Sequence, residues 1–504
     1  LTEIPVIPAP LEAERRPGEP FVIGPGLRIV AGPEPDAVST AILVAGRVGE
    51  AVGTPVAVVE EDDGSAGVIV LRLTADRTDV GLPADVDPRL ADEAYRLEVS
   101  TERVVVTALA GAGLFRGVIT LQQSSRPSGG GLYEVPPVHV VDHPRFSWRG
   151  LSVDLARHFF DLEQLRSVVD LMASYKLNVL HLHLTDDQGW RLEIPSRPEL
   201  TAVSGTTAVG GDPGGWLTGQ DYAAIVTHAA SRFITVVPEI DIPGHVNAAL
   251  HAYGELTPSG EPTREYTGTD VGFSRLHVDL PGTAPFLRDV LGDVAAMTPG
   301  AHVHIGGDEV LTMDAEEYRR LVHLAMAEVD AAGKVVVGWQ EVATALVPDG
   351  APADAAAPVV VQYWDEREGA DDVTRAALAG ADVLLSPASK VYLDMRYDAS
   401  TPLGLDWAGH IEVRDSYEWE PLDVLPGVPR ERVVGVEAAV WTETIRTSDD
   451  LFFLLLPRLA AVAEVAWSAP GRRGWESFAA RVPAHVPRWE TAGLVWYRSP
   501  QIDW

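Results

Sequence analysis

Beyond residue 148 the chain alternates short, almost wholly apolar runs with longer stretches in which apolar residues recur every three or four positions. The apolar runs are 149–156, 178–185, 234–241, 302–309, 334–341, 358–365, 382–389 and 433–443. The periodic stretches are 162–174, 219–232, 286–297, 315–332, 371–378 and 450–467. Near-continuous apolar strands alternating with amphipathic helices predict a parallel sheet covered on both faces. Eight such strands in about 350 residues predict a TIM barrel, (β/α)8. An open doubly wound sheet is the alternative, weakened because no glycine-rich phosphate turn follows the first strand. The earlier part differs. Short runs rich in Val, Ile and Leu at 21–30, 55–60, 67–74, 94–100 and 102–109 predict strands. Segments 37–50 and 114–124 have helical spacing. Gly129–Gly131 reads as a flexible break, and Pro136, Pro137 and Pro144 as linker. We therefore expect a smaller, non-catalytic α+β domain at residues 1–142 and the barrel at 143–504.

Composition narrows the partners. Of 504 residues, 73 are Asp or Glu against 39 Lys or Arg, a net charge of −34. That field repels phosphate backbones and anionic lipid surfaces, so nucleic acid and membranes are poor partners. No run of about 18 apolar residues is present to span a bilayer. The chain has no cysteine, which removes disulfides, thiolate nucleophiles and zinc–thiolate sites. It opens at Leu1 without Met or a basic-apolar leader, as a processed secreted protein or a trimmed chain would; secretion is the expectation. Trp (13) outnumbers both Tyr (12) and Phe (11), and the flat indole face suits a sugar ring as well as a core.

Barrel enzymes carry their chemistry at the C-terminal ends of the strands. Those ends supply Asp154 and Arg157; His183, Asp186 and Asp187; Glu239, Asp241 and His245; and Asp308 and Glu309. The later strands supply Trp339 and Glu341, Trp364 and Asp365, Tyr392 and Asp394, and Trp441 and Glu443. A single carboxylate on a loop is usually only solvated, but acids at eight ends, joined by aromatics at the later ones, point to glycoside hydrolysis. There, one carboxylic acid protonates the leaving oxygen and negative charge steadies an oxocarbenium-like transition state. Asp308 and Glu309 are adjacent. In extended chain they would face opposite ways, an awkward placing for a nucleophile and an acid around one bond. The pair fits better if one is the acid and the other orients a nucleophile carried by the substrate.

The segment His304-Ile-Gly-Gly-Asp-Glu309 resembles the His-x-Gly-Gly-Asp-Glu signature of family 20 glycoside hydrolases, the β-N-acetylhexosaminidases. Further family-like segments are Pro144-Arg-Phe-Ser-Trp-Arg-Gly150, Asp154-Leu-Ala-Arg-His-Phe159, His183-Leu-Thr-Asp-Asp-Gln-Gly-Trp190, Pro238-Glu-Ile-Asp-Ile-Pro-Gly-His245 and Trp441-Thr-Glu443. They run in order from residue 144 to about 445, and the likeness is to secreted actinobacterial members. The resemblance implies a retaining exo-enzyme that removes terminal N-acetylglucosamine or N-acetylgalactosamine by substrate-assisted catalysis, with chitin-derived oligosaccharides as the diet and no cofactor or metal. It implies Glu309 as general acid and base, Asp308 as the partner of the acetamido N–H, and Tyr392 as donor to the acetamido oxygen. Trp339, Trp364 and Trp441 would wall the acetamido pocket. Arg157, Glu443 and Asp394 would hold ring hydroxyls, Trp407 would stack on sugar, and Asp186 with His245 would support the acid.

Two rival readings remain at this point. His181/His183 and His302/His304 are His-x-His pairs, each on one strand face, as in metal-dependent hydrolase barrels; the later strand ends supply no further His. A carbohydrate-binding protein without catalysis would need the tryptophans but not Asp308, Glu309 and Tyr392 together.

Overall fold

The computed structural model describes residues 4–347 and 358–504; the expected domain ranges also take in residues 1–3 and 348–357, which lie outside the described residues. Eight parallel strands close into a barrel: β1 (Trp148–Asp154), β2 (Val179–His183), β3 (Thr235–Glu239), β4 (His302–His304), β5 (Val335–Trp339), β6 (Val359–Tyr363), β7 (Asp382–Leu385) and β8 (Val433–Val440). β8 pairs back on β1, Trp148 opposite Gly435. The expected (β/α)8 architecture is what the chain adopts. All seven residues of β1 are buried, because one face meets the barrel interior and the other the helical shell. Some of the helices start at side-chain caps the sequence supplies. Asp161 and Gln164 form a reciprocal capping box for Leu162–Ser174, and Asp314 caps Ala315–Ala331.

The barrel interior is layered. Its lowest layer is apolar: Trp148, Val179, Val237, Val337, Val360, Leu384 and Val434 cluster there. The strand period of two then sets what stands above them. His181 and His183 follow Val179, Glu239 follows Val237, Trp339 follows Val337, and Gln362 and Trp364 follow Val360. An apolar floor therefore carries a polar middle and a polar–aromatic top.

Residues before the barrel form a seven-stranded sheet in the order Glu12–Arg15, Val138–Asp142, Tyr95–Val99, Arg103–Ala108, Val68–Leu73, Arg28–Ala31 and Ala57–Val59. Val138–Asp142, lying between the prolines read as linker, is a strand within this sheet: no proline falls inside it, so its backbone is free to pair on both sides. Of the expected break, Gly130 and Gly131 form the turn between paired strands Arg126–Gly129 and Leu132–Val135. Helix Gly111–Ser124 lies between this sheet and the barrel, with 12 of its 14 residues buried. Phe115 and Ile119 pack into the barrel's core, while Leu114 and Val118 pack on the sheet. The seam is also ionic. Glu93 accepts from Arg116 (2.8 Å) and pairs with Arg149 of β1. Asp142 accepts from Tyr95 (2.8 Å), Lys176 (3.0 Å) and Trp467 (3.1 Å).

Candidate active site

β4 stops at His304, five residues short of the strand expected from sequence. Gly306 and Gly307 take φ of 68° and 113°, and Glu309 takes φ 50°. A Cβ on Gly306 would collide with the Asp241 carboxylate, so only glycine lets the chain turn here. The Gly307 N–H donates to Asp241 Oδ1 (3.2 Å). Asp308 and Glu309 are therefore not successive residues of an extended strand facing opposite ways. Both reach one imidazole: His245 Nε2 is 3.7 Å from Asp308 Oδ2 and 3.4 Å from Glu309 Oε2. His245 also lies in the left-handed region, φ 52°. Each such non-glycine residue costs about 1–3 kcal/mol, a cost that persists where the surroundings dictate the geometry.

The other nitrogen of His245, Nδ1, faces Asp186 Oδ1 at 3.2 Å. Asp186 Oδ2 in turn holds Arg157 Nη2 (2.7 Å) and His183 Nε2 (3.0 Å). Burial opposes charge on His245, but Asp186 and then Asp241 and Glu309 hold its pKa well above the usual imidazole range. Burial likewise opposes the Asp186 carboxylate, yet Arg157 and His245 keep its pKa well below the usual value. Around Asp308 the balance is reversed. Burial, with the charge of Glu309, pushes Asp308 up to about 6. Burial and the nearby Asp308 raise both Asp241 and Glu341 well above the carboxylate range. The site thus gathers acids that repel one another, an environment that favours positive charge developing on a bound molecule.

An aromatic wall stands beside these acids. Trp339 and Trp441 have ring centroids 5.9 Å apart, Tyr392 lies 6.1 Å from Trp441, and Trp364 stacks on Tyr392 at 6.2 Å with 8° between planes. Trp407 meets Tyr392 and Trp364 edge-on and is 43% exposed, at the mouth. Trp339 Nε1 donates to Glu239 Oε1 (2.8 Å) and Trp364 Nε1 to Glu341 Oε2 (3.3 Å), which fixes both ring planes. Arg157 lies over Trp441, 5.2 Å from its ring centre.

Glu443 acts on Arg157, and Asp394 lies close enough to Glu443 to feel its charge. Both oxygens of Asp394 and Oε2 of Glu443 are buried without a hydrogen bond. Burial first, and for Asp394 the charge of Glu443, raises both pKa values; Arg157 partly counters this at Glu443. Buried acceptors left unpaired are costly, and hydroxyl donors from a bound polyol would satisfy them.

The fold thus brings Arg157, Asp186, His245, Asp308, Glu309, Trp339, Trp364, Tyr392, Asp394, Trp407, Trp441 and Glu443 to one end of the barrel. Glu239, Asp241 and Glu341 are also built into this end, although the pattern at the strand ends gave them no role. Their signal was already in the sequence: all three stand at expected strand ends, and Glu239 and Asp241 lie within the segment Pro238–His245. The rim residues Phe273 and Leu311, 45% and 75% exposed, lie on irregular loops where no periodicity could mark them. Among the described residues, four buried groups of His and carboxylates have ligand atoms within 4.8 Å of one another. Each contains His181, His183 or His245, and each of these faces carboxylates at both nitrogens. Both nitrogens then carry protons, leaving no lone pair for an ion.

Residues 146–327 and 314–470 match the family described as "Glycosyl hydrolase family 20, catalytic domain", and residues 3–143 match "Glycosyl hydrolase family 20, domain 2". With this barrel and this acid-lined, aromatic-walled end, the chain belongs to glycoside hydrolase family 20. Among its relatives, the β-N-acetylhexosaminidase of Cellulomonas fimi is 54% identical over 504 residues, covering 100% of this chain and 98% of that one. The GH20 β-N-acetylhexosaminidase of Streptomyces coelicolor A3(2) superposes with a TM-score of 0.90 at 41% identity, covering 99% of both chains. That of Streptomyces plicatus, solved in complex with Thio-NAglucal, gives 0.91 at 41% identity, covering 99% and 98%.

Proposed function

We propose that this β-N-acetylhexosaminidase is a retaining exo-enzyme in which the substrate's own acetamido oxygen is the nucleophile. The carrying observation is the convergence of Asp308 and Glu309 on the single imidazole of His245. Two carboxylates gathered at one ring are not set on opposite sides of a glycosidic bond, as attack by a protein carboxylate requires. In our reading the acetamido group lies against Trp339, Trp364 and Trp441. Tyr392 donates to its oxygen, and Asp308 accepts from its N–H. That oxygen attacks the anomeric carbon as Glu309 gives its proton to the leaving oxygen, closing a cyclic oxazolinium. Asp308 faces the positive charge. Water, deprotonated by Glu309, then opens the ring, and two inversions give net retention.

Arg157, Asp394 and Glu443 would take the hydroxyls of a terminal sugar, which supports exo action. A mutant of the S. plicatus enzyme has been solved with the product N-acetylglucosamine, and a 27% identical Vibrio harveyi relative is called N,N'-diacetylchitobiase. We therefore propose terminal N-acetylglucosamine as the main substrate, N-acetylgalactosamine as a second, and chitooligosaccharides met outside the cell as the source. The test is NMR of the first product formed from chitobiose and from aryl N-acetyl-β-glucosaminide and -galactosaminide. The β-anomer should appear before mutarotation; an α-anomer would end the substrate-assisted reading.

A further inference from the structure

A polar column runs down the barrel axis beneath the site. Glu239, at the end of β3 and fully buried, is its branch point. Glu239 Oε2 accepts from His183 Nδ1 (2.6 Å) and faces His181 Nε2 (3.0 Å). Glu239 Oε1 accepts from Trp339 Nε1 (2.8 Å). His183 passes the link upward through Asp186 to His245 and Glu309. His181 passes it downward to Glu437 Oε1 (2.8 Å), which also accepts from Gln362 (3.0 Å). Gly150 leaves the space Glu437 occupies, since a Cβ there would overlap its carboxylate.

The protonation of His183 follows from its neighbours. Its Nδ1 faces Glu239 and its Nε2 faces Asp186, itself kept ionised by Arg157. Two carboxylates can each be satisfied only if both ring nitrogens carry hydrogens, so His183 is an imidazolium. The other groups around it are Asp154 at the end of β1, Arg157 just after it, with Arg157 Nη1 3.4 Å from its Nε2, Asp241 after β3, with a carboxylate oxygen within 4.8 Å, and Trp441 after β8. Around Glu239 are His181, His183, Trp339 and His304. His304 Nδ1 lies 2.9 Å from the Gly306 N and 3.1 Å from Glu239 Oε1, and burial holds that ring's pKa below the usual imidazole value.

We propose that Glu239 is the positioning residue that sets the two halves of the reaction in register: through His183 and Asp186 it holds the His245–Glu309 acid arm, and through Trp339 it holds the acetamido wall. This rests on the substrate-assisted reading above. One rigid carboxylate with two oxygens spent in two directions ties the height of the nucleophile to that of the acid. Neither Trp339 nor His183 can shift without breaking a hydrogen bond in the barrel interior, where an unmade bond is expensive.

The experiment has two arms. In the first, ¹⁵N-histidine-labelled wild-type enzyme, without substrate, is followed by NMR as pH is raised. The signals of His183 are assigned by their loss in His183→Gln. Two protonated ring nitrogens on His183 persisting to pH 8 are expected; a neutral His183 at pH 7 would overturn the proposal whatever the enzyme hydrolyses. In the second arm, Glu239→Gln offers one acceptor and one donor where the site needs two acceptors. We expect kcat to fall about 10–100-fold with little change in KM, as for a displaced catalytic group. Removing the carboxylate also lowers the pKa of His183, so the active imidazolium is lost on the alkaline side sooner and that limb of kcat/KM moves to lower pH. Glu239→Asp, which keeps the charge, should return the alkaline limb to the wild-type position. A folded Glu239→Gln enzyme with the wild-type kcat and alkaline limb refutes the assignment, and should it not fold, the first arm decides alone. Loss of retention in the wild type would refute the underlying reading instead.

Discussion

His245 Nε2 lies 3.4 Å from Glu309 Oε2, and both residues hold left-handed backbone, φ 52° and 50°. Two non-glycine residues in that region, from loops after different strands, meet at one close ionic contact. The Glu309 carboxyl is aimed by two strained turns that the surrounding barrel pays for.

Glu309→Gln keeps the shape of that contact and removes the proton to be donated. The loss should be about 10²–10⁴-fold on chitobiose, whose leaving sugar needs protonation. It should be much smaller on a dinitrophenyl glycoside, whose phenolate leaves unaided. Steady-state rates on the two substrates check this; equal losses would remove Glu309 from the acid role.

Asp308 is pushed up to about 6 by burial and by Glu309, so its folded-state pKa is above the unfolded one. The folded protein then binds a proton more tightly than the unfolded chain. Stability is fully present below the unfolded pKa of about 4 and declines as pH rises through about 6. Asp308→Asn should accordingly raise Tm at pH 7.5, by about 1–3 kcal/mol of stability, and the gain should shrink towards pH 4. Activity follows the opposite sign, because the ionised form must face the cation: wild-type kcat/KM should fall as pH drops below about 6. Calorimetry of the variant and a pH–rate profile of the wild type test both. A variant less stable at pH 7.5 would mean that Asp308 is not held against its own charge.

If the acetamido oxygen attacks, its electron density sets the rate. Replacing acetyl by mono-, di- and trifluoroacetyl should slow kcat/KM progressively and steeply, and a 2-hydroxy sugar should be nearly inert. A thiazoline mimic of the ring-closed intermediate should bind far more tightly than product, since the acid-lined site matches the charged state. A flat fluorine series, or a covalent ester recovered on Asp308, would restore an ordinary protein nucleophile.

Tyr392 packs among Trp364, Trp407 and Trp441. Tyr392→Phe keeps those ring contacts and deletes only the hydroxyl. An unchanged Tm with kcat lowered by about 10²-fold is expected, as for one lost preorganised donor. Unchanged turnover would place the hydroxyl outside the reaction.

The barrel was readable in the sequence because strands buried on both faces are continuous apolar runs, and their ends are fixed by where polar residues resume. That is why Trp339, Trp441 and Glu443 could be placed at one face before any coordinates. Position along the chain did not disclose the turn at Gly306–Gly307, because a strand pattern says nothing of φ; hence the expected opposition of Asp308 and Glu309 became convergence on His245. It placed Glu239 and Glu341 at strand ends but hid their bonds to Trp339 and Trp364. The stretch 450–467, read as one helix, is two, Ser448–Leu455 and Arg458–Trp467, with Pro457 between them.

The ionic seam between the α+β domain and the barrel also bears on how such genes can be recombined. Glu93 and Asp142 belong to the first domain, yet the cations they neutralise, Arg149 and Lys176, are written into the barrel's opening strand and the turn that follows its first helix. A hybrid joining this barrel to a foreign leading domain inherits two buried positive charges whose negative halves were left behind. The two stretches therefore make one heritable unit: Glu93 with Arg149, and Asp142 with Lys176, should change together or stay together as lineages diverge.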